Sequence, residues 1–204
     1  MKRLCIAIVT AAVLWLAMFS PWTSPYHNFW EVMVLSAGVL IALSLIFGKD
    51  WKKQFRFNVK DIITGVASAA VLYGIFYAGN EISQMLFDFS EAQVSSVYAM
   101  KDGQNPLVLS LALLLWIGPA EEIFWRGYIQ RTLTGQKGQI AAVVITALIY
   151  ALVHIWSFNF MLLMAALVCG AFWGALYMLN KNLLTVLISH ALWDVSVFIL
   201  FPIL

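Results

Sequence analysis

Charge is what this sequence has least of. Of its 204 residues only 11% are Asp, Glu, Lys or Arg, while 63% are hydrophobic, and the mean hydropathy is +0.88. Soluble domains are about 25% charged and about 45–50% apolar. A soluble core of this size could not hide the surplus apolar surface, so lipid must be the solvent. Cysteine is also scarce. Cys5 and Cys169 stand in apolar runs without metal-ligand spacing, which argues against a disulfide framework and for two small buried hydrophobes. The basic residues are spread along a chain of net charge +2 rather than gathered in a stripe, so nucleic-acid binding has no support. Internal repeats and a second domain are missing too, and residues 1–204 read as one integral membrane domain.

What is present is a series of long apolar runs. A bilayer core is about 30 Å thick, so a spanning helix needs about 20 mostly apolar residues. The candidate spans are 4–20, 29–47, 62–78, 107–130, 139–155, 160–179 and 183–200. Lys2 and Arg3 before the first could also open a signal peptide. That stretch is long for such a segment and Ser20-Pro21 is a poor cleavage site, so a retained helix is expected. Basic residues set orientation. They precede span one (Lys2, Arg3), separate spans two and three (Lys49, Lys52, Lys53, Arg56, Lys60), and lie between four and five (Arg131, Lys137) and between six and seven (Lys181). The alternate loops hold only Lys101, against Glu81, Asp88, Glu91 and Asp102. The sequence therefore predicts an all-α polytopic helical bundle of about seven transmembrane helices, multi-pass in the cell membrane, with a cytoplasmic N-terminus. Residues 80–105 are read as an outer loop or an interfacial amphipathic stretch. Gly170 and Gly174 are read as a close-packing pair without chemistry.

Ionisable side chains inside a bilayer are costly and usually mark function. Span four holds Glu121, Glu122 and Arg126, span five His154, and span seven His190 and Asp194; the first half has only Glu31, near a span end. The C-terminal half is thus the expected working half, with residues 107–200 as its core. Glu122 and Arg126 are four apart and can pair on one helix face. Glu121 is rotated by about 100° from Glu122 and stays available for water. Gly118-Pro119 just before them either breaks the helix or begins a new segment. In the second case both glutamates sit in a first turn, where the helix dipole favours ionised carboxylates. Gly135 to Gly138 reads as a tight turn. Glu121 and His154 are then each about 20–25 Å from it along their helices. His190 is roughly 10 Å from the turn at residues 180–182, and the mismatch disappears if 131–139 protrudes.

Three motifs stand in order: Glu121-Glu122-Ile123-Phe124-Trp125-Arg126, Tyr150-x-x-x-His154 and His190-x-x-x-Asp194. Together they resemble the CPBP intramembrane protease family, which includes type 2 CAAX prenyl proteases and bacteriocin-processing, Abi-like proteins. The stretch from Pro119 to Gly127 is similar to that family's signature extended at both ends. The resemblance implies a glutamate-dependent peptidase near the cytoplasmic leaflet, acting on a membrane-associated peptide or protein. Glu121 would be the general base that activates water, and His154 would orient or polarise that water. Glu122 and Arg126 would form a supporting ion pair, while His190 and Asp194 would stabilise the oxyanion. Such chemistry needs an acceptor for the water's proton and donors aimed at the developing charge. Two positions depart from the pattern. Tyr150 replaces a frequent phenylalanine and adds a hydroxyl near His154. Asp194 replaces the asparagine of the prenyl proteases, and ionised aspartate only accepts hydrogen bonds. No cofactor is expected. Two histidines and two carboxylates could hold zinc, but the missing His-Glu-x-x-His spacing disfavours it.

Two other functions are weighed. A proton-coupled transporter would use the same ionisable groups, but transporters usually show repeats and paired broken helices. A non-catalytic scaffold or immunity protein on the same fold would use them only to lock helices together. His27, in the 20–28 loop, is read as interfacial, and the nine tryptophans as interfacial anchors and lipid-facing bulk, with Trp125 and Trp193 beside the site as possible groove walls.

Overall fold

The computed structural model describes residues 1–203 of the chain. It is all-helical, and seven of its helices are long and apolar enough to cross a membrane. In chain order the elements are α1 (Lys2–Phe19), α2 (Phe29–Phe47), α3 (Val59–Leu86), the short α4 (Ser90–Ala99), α5 (Pro106–Lys137), α6 (Gln139–Ser157), α7 (Phe160–Asn180) and α8 (Leu183–Leu200).

Asparagine starts most of these helices. The side chains of Asn28, Asn58, Asn105, Asn159 and Asn182 accept from backbone N–H groups in the first turns of α2, α3, α5, α7 and α8. A helix leaves its first N–H groups without internal partners, and in or near lipid such groups are expensive. Pro106, which has no N–H to lose, takes the first position of α5.

Two stretches differ from expectation. Residues 80–105 are not a loop: α3 runs on to Leu86, and α4 follows after three residues. The turn at 135–138 narrows to Gly138 alone, at φ +85°, while Gly135 stays helical and α5 protrudes to Lys137.

The bundle has two unlike ends. At one, the backbone of Arg56 exchanges hydrogen bonds with the Asn182 side chain, its guanidinium reaches the Asn180 carbonyl, and Arg131 reaches the Lys49 carbonyl. This is the basic end. At the other, α4 is sewn to its neighbours. Asn159 donates to the Gln93 carbonyl, Trp30 Nε1 to the Met100 carbonyl, Lys101 Nζ to the Phe198 carbonyl, and Ile203 N to the Tyr98 hydroxyl. The core between them contains far more tryptophan than expected. Trp15, Trp30, Trp125, Trp173 and Trp193 are buried. Indole supplies bulk with one N–H donor, which suits a polar cluster inside an apolar bundle. Of the cysteines, Cys169 is buried but Cys5 faces outward.

Candidate active site

The site begins with α5. Pro119 does not break this helix. A widened π turn at Leu113–Ile117 precedes it, a second at Trp125–Gln130 follows, and the backbone stays helical throughout. Proline removes one ladder hydrogen bond and crowds the preceding turn; a π turn makes room, and such turns recur at functional sites. Glu121 and Glu122 therefore sit within a continuous helix, not at a free N-terminus, and the expected dipole argument loses its basis. Gly118 explains how α5 meets α8. A Cβ there would lie 3.3 Å from Ala191 Cα and 3.1 Å from the Leu113 carbonyl oxygen, so the two backbones touch beside His190.

Glu122 and Arg126 pair as their spacing predicts, at 2.7 Å, with both side chains fully buried. Arg126 also donates to the carbonyls of Cys169 and Gly170, each at 3.3 Å, and its guanidinium lies over the rings of Tyr150 and Trp173. A buried charge survives only when paired and hydrogen-bonded; the α7 carbonyls add to the pairing, while Glu122 Oε2 and Arg126 Nε are left without a partner. Gly170 is a packing residue as expected: a Cβ there would stand 3.0 Å from Ala147 Cα. Its carbonyl adds a function that spacing does not show.

Glu122 Oε1 also meets His190 Nδ1 at 2.7 Å, and the opposite ring nitrogen, Nε2, lies 3.4 Å from Asp194 Oδ2. Only an imidazole carrying both protons can donate to both carboxylates. Trp173 stacks on this ring at 3.7 Å and 18°, and its own N–H donates to Ser189 Oγ.

Glu121 takes the other side of α5. Its Oε2 accepts from the Tyr150 hydroxyl at 2.8 Å. The hydroxyl at position 150 thus serves the glutamate rather than His154. His154 sits at the end of α6, its Nδ1 2.7 Å from the Tyr150 carbonyl and its Nε2 accepting from Trp15 Nε1 at 3.0 Å. Carbonyls only accept, so the imidazole proton belongs on Nδ1. The helices thus bring Glu121, His154, His190 and Asp194 around one cavity of about 350 Å³. Its apolar wall includes Phe19, Phe29, Trp30, Ile75 and Phe76 from α1–α3.

Trp15, Trp173 and the α1–α3 wall were missed by reading ionisable residues. An apolar residue facing a cavity and one facing lipid carry the same signal. Trp15 is separated from its partner by 139 residues, with no local pattern to join them.

Each ring nitrogen of His154 and His190 already faces a protein partner. Among the described residues, no three His, Cys, Asp or Glu side chains are grouped to hold a metal ion. The arrangement is a hydrogen-bonded network.

Residues 103–196 match the profile of the family described as type II CAAX prenyl endopeptidase Rce1-like. This stretch is similar to an Rce1-like domain. It contains all three motifs and the whole of the carboxylate–imidazole network. No curated protein and no solved structure matches the chain. The matched stretch begins after α4, so Trp15 and the aromatic wall lie outside it.

Proposed function

We propose that this protein is an intramembrane endopeptidase that hydrolyses a peptide bond of a membrane-associated protein or peptide, using water activated by Glu121. The observation that supports this reading is the isolation of Glu121 from the ion pair beside it. Arg126 and His190 engage Glu122, whereas Glu121 lines the cavity with one oxygen held by Tyr150. Hydrolysis needs one carboxylate free to take a proton and a second set of groups held still as donors.

Glu121 Oε1 takes a proton from water as the water oxygen attacks the scissile carbonyl carbon. The Tyr150 hydroxyl fixes the carboxylate's orientation through Oε2. His154 Nε2, held at rest by the Trp15 indole, trades that donor for the water and steadies it. The oxyanion then forms on the side of His190, whose ring is aligned by Glu122 and Trp173. His190 Nε2–H turns from its long 3.4 Å contact with Asp194 to donate to the oxyanion, so Asp194 acts only through the ring, which reconciles an acceptor-only residue with oxyanion support. Glu121 finally passes its proton to the leaving amine as the C–N bond breaks. No step uses a metal. The aromatic and aliphatic wall suits an apolar peptide segment or a prenylated one, the substrate named for the Rce1-like family.

The test is peptide hydrolysis by the purified chain in proteoliposomes, with membrane peptidomics of producing cells as the source of substrates. Glu121→Ala should cut cleavage by about 10²–10⁴-fold, what a general base contributes, while the protein stays folded. Cleavage retained by that variant would end the proposal, and wild-type behaviour in every assay would favour a scaffold.

A further inference from the structure

The two ends of the bundle differ in charge, and the cavity belongs to only one of them. Ten of the twelve Lys and Arg residues lie at the basic end: Lys2 and Arg3 on α1, five between Lys49 and Lys60, then Arg131, Lys137 and Lys181. Arg126 is buried in the site, and Lys101 alone stands at the opposite end, its amine tied to the Phe198 carbonyl. The connections at that opposite end carry Glu31, Glu81, Asp88, Glu91 and Asp102. An excess of Lys and Arg in short loops marks the cytoplasmic side.

The cavity faces the acidic end. Its lining includes Gly79 and Asn80 late in α3, Val94 and Val97 of α4, and Met161 and Leu162 at the start of α7. Toward the basic end its lining stops at Glu121, Tyr150, Trp173 and His190, and Glu122, Phe124 and Trp125, which follow along α5, are buried. The buried amide oxygen of Asn80, beside the mouth, has no protein donor.

We infer that the cavity opens on the side of the membrane away from the cytoplasm, and that its substrate is a membrane-embedded peptide whose scissile bond is presented from that side. This rests on the cavity being the site of peptide hydrolysis. It moves the reaction away from the cytoplasmic leaflet, where the sequence resemblance alone would put it, and it disfavours cytosolic proteins that reach the membrane through a lipid on their C-terminus.

Topology and catalysis are tested separately. In the full chain carrying Cys5→Ala and Cys169→Ala, a single cysteine is placed at Asp102→Cys or at Lys137→Cys, both exposed. A membrane-impermeant maleimide should label the first in intact cells, and the second only after permeabilisation. The reverse pattern, or equal labelling of both, overturns the inference and leaves the hydrolytic reading intact. The unaltered chain in sealed right-side-out and inverted vesicles is then given a pool of donor–quencher transmembrane peptides. Product should emerge on the outer face; product on the cytoplasmic face again overturns the inference alone. No cleavage in either preparation counts against the hydrolytic reading itself, and the inference falls with it.

Discussion

Helices α1, α2 and α3 bury one charged side chain among them, Asp61, whereas α5, α6 and α8 bury Glu121, Glu122, Arg126, His154, His190 and Asp194. The first group nevertheless completes what the second begins. It supplies Trp15 to His154 and five aromatic or aliphatic residues to the cavity wall. Charges placed in lipid must find partners within the protein, and they must also be shielded from lipid and water by something inert. The difference teaches that ionisable residues reveal where chemistry is concentrated but not how much of the chain encloses it.

Four substitutions sharpen or break this contrast. The largest effect is expected at Arg126→Ala. Removing one member of a fully buried pair leaves an uncompensated charge and costs about 3–5 kcal/mol, so the variant should lose its folded fraction in detergent, as seen by size exclusion and thermal unfolding. A well-folded Arg126→Ala would show that the C-terminal half does not depend on its ion pair. Next is Tyr150→Phe, which removes the hydroxyl on Glu121. Hydrogen bonds to charged groups contribute about 1.5–3 kcal/mol; kcat should drop by about ten- to a hundredfold with KM little moved. Because phenylalanine is the residue frequent at this position in the resembling family, an unchanged kcat would make the hydroxyl dispensable.

Trp15→Phe asks whether the N-terminal half does more than enclose. It keeps an aromatic ring and deletes one N–H, a neutral hydrogen bond of about 0.5–1.5 kcal/mol. Because the indole competes with water for Nε2, kcat should rise by up to about tenfold without loss of folded protein; an unchanged kcat would reduce α1 to a wall. Smallest is Glu31→Gln, an acid exposed at the start of α2. Stability and cleavage should both stay within about 0.5 kcal/mol of wild type. A large loss would place a working acid in the half that otherwise has none.

Much of this molecule was legible in its residues. The seven apolar runs became seven helices because length and hydropathy alone decide a span. The Glu122–Arg126 pair followed from helical spacing, and the separation of Glu121 from that pair from the same rotation. Three things were not legible. Pro119 reads from sequence as a break or a new helix start, and is neither, because a π turn has no sequence signature of its own. Residues 80–105 read as an outer loop or an interfacial amphipathic stretch, and the helix α4 was not specified because it is held by tertiary bonds from Asn159 and Trp30 rather than by an apolar face. The tryptophans were assigned to lipid because composition does not say which way an indole faces.

The bond from Trp15 to His154 links the first membrane helix to the fifth, and His190 and Asp194 arrive only with the seventh. Chains are made from the N-terminus onward. A nascent chain halted after α5 holds Glu121 with neither imidazole beside it, and one halted after α7 still lacks the groups that would face an oxyanion. If the chain cleaves as proposed, the order of synthesis withholds that power from half-inserted copies while other newly made membrane proteins pass nearby.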